Sequence, residues 1–278
     1  MNFLTWGRNP WGQDVLQHIS WDLLWASLFA GLMFLVAHAS YMVLSAHRKR
    51  SQAETDALEA ANKDLPQHIP RHSFMARMFH WVMAASMFVL LFTAFLPIVG
   101  FQFAWVEWHW IAGLVLTGSI IYHIVHATFW LDFWSIWVGP KDIPEFKAEM
   151  LRELGHEVEG PKPGKYPLGN RLYHLAIVVV GFAVTITGIV MMQRIRTPLF
   201  ERNPYATMSD VAWGWTYILH GLSGVGLIGL VIAHVYFAVR PDKWWITKSM
   251  IFGWIPRRLY LEHHDLKRWS VKGEKTKA

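Results

Sequence analysis

The sequence predicts an all-α integral membrane protein, a bundle of five transmembrane helices. Three observations predict it. The 278 residues are 53% hydrophobic and only 17% charged, against about a quarter charged in an average soluble domain. The apolar residues fall in five runs, each long enough to cross a ~30 Å hydrocarbon core as a helix. The 26 lysines and arginines gather on alternate connections between those runs, as the positive-inside rule requires of a multi-pass chain.

The runs cover residues 21–45, 79–101, 108–130, 172–193 and 215–239. In lipid a spanning backbone must satisfy its own hydrogen bonds, so each run is a helix. Residues 1–20 lack a basic segment leading straight into an apolar core, so the first run is expected to be retained rather than cleaved. The stretches 47–79, 131–171 and 239–278 hold 6, 6 and 10 basic residues, whereas 1–20, 97–108 and 193–214 hold 1, 0 and 3. This sidedness puts the first group in the cytoplasm, the N-terminus outside and the C-terminus inside. Trp105, Trp108, Trp110, Trp213 and Trp215 would mark the outer interface, and Trp81, Trp130, Trp134, Trp137, Trp244 and Trp245 the inner one. Between the spans, 51–63 and 145–153 have helical composition, and Gly160-Pro-Lys-Pro-Gly164 is a turn-rich hinge. The basic tail reads as an anchor on anionic lipid. The net charge of +6 therefore points to a membrane surface, not to nucleic acid.

The chain has no cysteine and 15 histidines. That excludes disulfides, thiolate zinc, iron–sulfur ligation and thioether-linked haem, and leaves imidazole as the metal ligand. Ionisable groups inside a membrane are costly and mark function, and His38, His80, His109, His123, His126, His174, His220 and His234 lie in or at the ends of the spans. His220 and His234 are 14 residues apart on the fifth span, which is ~21 Å along a helix and within roughly 40° of one face. That geometry suits two b-type haems at two depths, each taking one imidazole from this helix and one from a neighbour. Two axial imidazoles leave no open coordination site, which favours electron transfer. Gly221, Gly224, Gly226 and Gly229 between them would admit a macrocycle or a neighbouring helix. At the outer level the candidate partner is His109; at the inner level spacing leaves His80 and His123 both open.

Arg77-Met-Phe-His80-Trp81, Trp108-His109 with Gly113, Gly164-Lys165-Tyr166, Gly169-Asn170-Arg171, the His220 and His234 pair, Arg257-Arg258 and His263-His264 together resemble the cytochrome b (gamma) subunit of respiratory formate dehydrogenases. That family is related to the cytochrome b subunits of nickel–iron hydrogenases and thiosulfate reductases. The resemblance runs from Arg77 to about Trp269. It implies a dihaem four-helix core in the last four spans, with His80 and His234 holding the inner haem and His109 and His220 the outer one. It divides the chain into a periplasmic N-terminus with an additional first helix (1–46), a cytoplasmic connection (47–78), the four-helix cytochrome b domain (79–239) and the basic cytoplasmic tail (240–278).

The sequence departs from that pattern in its additional first span and in Pro167, which stands where a polar residue associated with quinone binding is expected. His38, His123, His126 and His174 are surplus to two haems. They suit quinone-site and relay residues, ligands of a third haem, or buried hydrogen-bonding groups. Asn170, Arg171 and His174 are the quinone candidates, since they bring hydrogen-bonding side chains to the cytoplasmic start of the fourth span. Arg77 is placed either to neutralise an inner haem propionate or as part of the positive-inside charge.

The resemblance implies a non-catalytic electron-transfer subunit in the bacterial inner membrane. An iron–sulfur subunit and a molybdenum- or nickel-containing catalytic subunit would dock outside, and quinone would be reduced at the cytoplasmic side. Moving a charge across is worth about 2.3 kcal/mol per 100 mV, so this layout conserves energy. The competing readings are a stand-alone transmembrane b-haem reductase, which needs no partner, and a haem-free transporter or metal enzyme. A transporter should show broken helices or repeated halves, and a metal enzyme ligands clustered at one depth; the sequence shows neither.

Overall fold

A computed structural model describes residues 3–44, 52–153, 156, 158, 160–199, 201–203 and 208–271. The expected boundary at 46/47 and the end of the basic tail, 272–278, lie outside the described residues. The chain is mostly helical, with five helices long and apolar enough to cross a membrane: α1 (Trp21–Leu44), α3 (Phe74–Phe95), α4 (Trp105–Trp130), α6 (Leu168–Met191, continued as a short 3-10 turn to Arg194) and α7 (Asp210–Val239). Between and after them lie α2 (Gln52–Ala61), α5 (Ile143–Glu153), α8 (Trp244–Phe252) and α9 (Arg257–His263). The expected helical stretches at 51–63 and 145–153 are thus α2 and α5.

The second span starts five residues earlier and ends six earlier than its apolar run. Ser73 Oγ accepts the Ala76 N–H at 3.2 Å and so caps α3 ahead of the run. At the far end Pro97, which has no N–H to give, and Gly100 at φ 98° turn the chain after Phe95. Ser209 does the same at the start of α7, where its Oγ accepts the Ala212 N–H.

The chain forms two compact units. One comprises Met1–Val36, His80–His123 and Ala176–Val235. It opens with a hairpin that hydropathy did not announce: β1 (Leu4–Arg8) pairs antiparallel with β2 (Asp14–Ile19), with a bulge at Thr5/Trp6. Asn9 organises the turn, its Oδ1 accepting the N–H groups of Trp11 and Gln13, while its Nδ2 donates to Asp210 at 3.0 Å and ties the hairpin to α7. Glycines of α7 make the seat. A Cβ at Gly214 would lie 2.8 Å from Leu16, and one at Gly221 would lie 2.9 Å from Ile19. Further along, Gly226 faces Val180 and Gly229 faces Ser27, whose Oγ donates to the Val225 carbonyl at 2.9 Å. Three of the four glycines between His220 and His234 are therefore explained by chain packing. The first span lies against this unit without burying a residue of its own: Trp25 meets Phe95 edge-on at 5.3 Å, and Gly31 leaves room for Ile232.

The other unit comprises Ala37–Phe79, Ile124–Leu175 and Tyr236–Ala278. Its tail is folded. Strand β4 (Trp254–Pro256) pairs antiparallel with β3 (His68–Pro70), Ile255 opposite Ile69, and these two join Tyr260 and Leu261 in a core at most 4% exposed. Gly253, at φ 89°, closes α8 in the left-handed conformation and lies against the His72 carbonyl. Arg171 is buried between Asp142 (2.7 Å) and Glu145 (3.1 Å), and Arg268 reaches the same two carboxylates.

Candidate functional site

Within the first unit the structure brings four histidines into two facing pairs. His109 of α4 meets His220 of α7 with ring centres 6.3 Å apart and planes at 67°. His80 of α3 meets His234 of α7 at 6.2 Å and 57°. The two separations agree with each other and with a simple construction. Two imidazoles on one metal through Nε2, with bonds of about 2.0–2.1 Å, hold their ring centres about 6.2–6.4 Å apart.

The His109–His220 pair carries matched supports. Thr93 Oγ1 lies 2.8 Å from His109 Nδ1, and Thr187 Oγ1 lies 3.0 Å from His220 Nδ1. Each hydroxyl also donates its single proton to a carbonyl one turn back, Val89 at 2.7 Å and Ala183 at 2.6 Å. With that proton committed, each threonine can only accept from its histidine. Nδ1 of both rings therefore carries the proton, and Nε2 keeps its lone pair for a metal. Gly188, next to Thr187, clears the ring, since a Cβ there would come within 3.3 Å of His220 Cε1.

Each pair supplies two imidazoles, and among the described residues no group of three or more His, Cys, Asp or Glu could hold a metal ion. A porphyrin, which brings four nitrogens of its own, would complete the coordination that each pair begins. The donor set fits a bis-imidazole haem at each pair.

The surplus histidines have separate settings. In the second unit, His38 Nδ1 lies 2.8 Å from the Tyr236 hydroxyl. His126 is buried and stacks on Trp130 at 6.0 Å, and His174 meets Trp137 edge-on at 5.4 Å. His123 is half-buried on α4 in the first unit. Of the quinone candidates, Asn170 is exposed, while the Arg171 guanidinium is engaged by Asp142 and Glu145. Arg77 Nη1 donates to the Ile251 carbonyl. Sequence reasoning missed Thr93 and Thr187. Their one signal is a hydroxyl within an apolar span, which many helices satisfy against their own backbone.

A helical membrane bundle with two such histidine pairs has the construction of a membrane cytochrome b. The chain belongs to the prokaryotic cytochrome b561 family, whose model matches residues 71–253, and membership implies b-type haem as cofactor. Among curated proteins it is similar to the formate dehydrogenase, nitrate-inducible, cytochrome b556(Fdn) subunit of Escherichia coli (strain K12), at 25% identity over 224 residues, 76% of this chain and 94% of that protein. It is also similar to the formate dehydrogenase cytochrome b556 subunit of Haemophilus influenzae, at 24% identity over 217 residues, 72% of this chain and 82% of the other.

Proposed function

We propose that this chain is the membrane-anchoring dihaem cytochrome subunit of a respiratory oxidoreductase complex of the formate dehydrogenase kind. The observation that carries the reading is the pair of histidine pairs at 6.2 and 6.3 Å. His109 and His220 would hold the haem nearer the periplasm, and His80 and His234 the haem nearer the cytoplasm. When bound, these groups supply one-electron transfer at iron without an open coordination site, between an external iron–sulfur and catalytic pair of subunits and the quinone pool. The protein's part is to orient and to insulate. Thr93 and Thr187 keep the Nδ1 protons in place and aim Nε2 at the metal. Helix α7 sets the spacing, ~21 Å between His220 and His234.

Lacking cysteine, the chain cannot carry an iron–sulfur relay, which a partner subunit would supply. The formate assignment rests on the names of the two relatives; the orientation rests on the basic residues, 22 on the stretches assigned to the cytoplasm against 4 outside. On that side Asn170 and His174 are the candidates to hydrogen-bond a quinone. The His38–Tyr236 pair, an imidazole against a hydroxyl at 2.8 Å, is the candidate proton relay.

A reduced-minus-oxidised optical spectrum of the purified chain tests the reading. A b-type alpha band, with two haems per chain by pyridine haemochrome, is expected; no such band would overturn it. Co-purification with a molybdenum- or nickel-containing subunit separates the anchor from a stand-alone reductase.

A further inference from the structure

Helix α5 turns its charge inward and its apolar side chains outward, the reverse of a helix on the surface of a soluble domain. Glu145 is 3% exposed and accepts hydrogen bonds from Arg171 at 3.1 Å and Arg268 at 2.8 Å. Ala148, three residues on and therefore on the same face, is also buried. Ile143, Phe146 and Met150 are 65%, 45% and 47% exposed. At 100° per residue these three fall within an arc of roughly 60°, on the side of the helix away from Glu145 and Ala148. Left in water, that arc would forfeit what the burial of large apolar side chains gains.

Two features of the second unit say what covers it. The first is the level at which the helix is held. Its buried face is tied by Glu145 to Arg171, which stands in the first turn of α6, a spanning helix. Helix α5 therefore lies beside the end of a span, where hydrocarbon gives way to headgroups. The chain that leads to it agrees, since Phe129 and Trp130 at the end of α4, then Trp134 and Val138, are all exposed. The second feature is charge. Asp142 and Glu145 are buried against Arg171 and Arg268, so the charged side chains left exposed between residues 140 and 151 are Lys141 and Lys147. Lys147 follows Phe146 at the edge of the apolar arc, where a long stem can lie on lipid while its ammonium reaches the headgroups. An apolar arc edged by lysines fits the interface of a membrane that contains anionic lipid.

We propose that α5 is an interfacial anchor: it lies in the plane of the membrane surface beside the first turn of α6, with Ile143, Phe146 and Met150 among the acyl chains just below the headgroups and Lys141 and Lys147 against anionic phospholipid. The ion cluster of Arg171, Arg268, Asp142 and Glu145 then joins this anchor to the span. The proposal needs only that the chain crosses a membrane and is independent of the haem assignment.

The chain has no cysteine, so a single nitroxide can be placed by Phe146→Cys or Met150→Cys, with Val179→Cys, 63% exposed within α6, as the lipid-facing reference. The full chain, with any subunits that co-purify, is placed in phosphatidylcholine nanodiscs with and without phosphatidylglycerol. Collision of each label is measured with oxygen, which concentrates in lipid, and with a water-soluble nickel chelate. Labels at 146 and 150 are expected to meet oxygen nearly as often as the label at 179 and to be shielded from the chelate. Phosphatidylglycerol should lower the chelate collision further, and Lys141→Gln with Lys147→Gln should remove that response. Ready collision with the chelate at both positions would place the face in water. Shielding from both reagents would place it against protein, a second copy of this chain or a partner subunit. Either result overturns the proposal, as does a wild type indifferent to phosphatidylglycerol, whose lysines would then be merely solvated.

Discussion

Thr93 accepts a hydrogen bond from His109 Nδ1 at 2.8 Å while spending its own proton on the Val89 carbonyl at 2.7 Å. Thr187 repeats the arrangement for His220. A metal-bound imidazole whose Nδ1–H is held this way is a fixed and more basic ligand. Replacing either threonine by valine keeps the volume and removes the acceptor. The expected result is a haem still bound, with affinity lower by about 10- to 100-fold and an altered midpoint potential for that haem alone. A redox titration resolving the two b haems checks this, and an unchanged potential would mean that the hydroxyls merely satisfy the helix.

The ligand assignment predicts a pattern of losses. His109→Ala and His220→Ala should each remove one haem, and both the same one; His80→Ala and His234→Ala should each remove the other. Pyridine haemochrome would fall by half in every case, and the surviving alpha band would sort the four variants into two groups. His123→Ala should retain both haems. If His123→Ala instead lost the haem that His234→Ala loses while His80→Ala kept it, the inner pairing would be wrong.

Legibility followed the strength of the local signal. Five spans were readable because each carries some twenty apolar residues, and no other structure satisfies a lipid-exposed backbone. His220 and His234 were readable because helical geometry converts 14 residues into a depth and a face. Spacing left His80 and His123 open, since ring contact between α3 and α7 depends on packing that no single segment encodes. The hairpin at Leu4–Arg8 and Asp14–Ile19 was missed because its strands are short and gain stability by seating Leu16 and Ile19 on Gly214 and Gly221, some two hundred residues away. The tail hid its fold for a related reason. Its basic residues read as an anchor on anionic lipid, whereas the burial of Tyr260 and Leu261 depends on Ile69 and Ile255 pairing across a two-stranded sheet.

Arg171 distinguishes a structural from a functional use of one side chain. Its guanidinium is 6% exposed and bridges Asp142 and Glu145, which are 9% and 3% exposed. Breaking a buried ion pair typically costs about 3–5 kcal/mol; here Asp142 and Glu145 would keep only the part-exposed Arg268, at 3.3 and 2.8 Å, so the loss should fall toward the lower end. Arg171→Met should therefore lower the melting temperature sharply. The triple change Arg171→Met, Asp142→Asn, Glu145→Gln should recover part of that loss, since it removes the stranded charges as well. Quinone titration of the haem oxidation state in the triple variant then asks whether the residue has a second role. Unimpaired reduction by a quinol would leave Asn170 and His174 as the remaining candidates there.

His264 sets an acid limit on the second unit. Burial, followed by the charge of Arg71, pushes its pKa from 6.5 down to about 4, against the opposing pull of the hydrogen bond to Gly164, with His263 and Lys162 adding to the fall. The folded form binds the neutral ring, whereas an unfolded chain takes up the proton near the ordinary value. At pH values between the two the unfolded state therefore carries more protons, and stability rises with pH across that window. The contribution is fully present above about pH 6.5 and is lost as pH falls toward 4, amounting to roughly 3 kcal/mol in all. Asp142 adds to the acid limb lower down. Burial alone would raise its pKa, but the hydrogen bonds from Arg171 and the Gly139 N–H, with the charges of Arg171 and Arg268, hold it below the usual 3.8. Melting curves between pH 7 and 4 should show the midpoint falling with pH in wild type, and His264→Asn should flatten the fall above pH 4 while keeping a side-chain donor toward the Gly164 carbonyl. If that variant retained the full wild-type slope, the proton would be binding elsewhere.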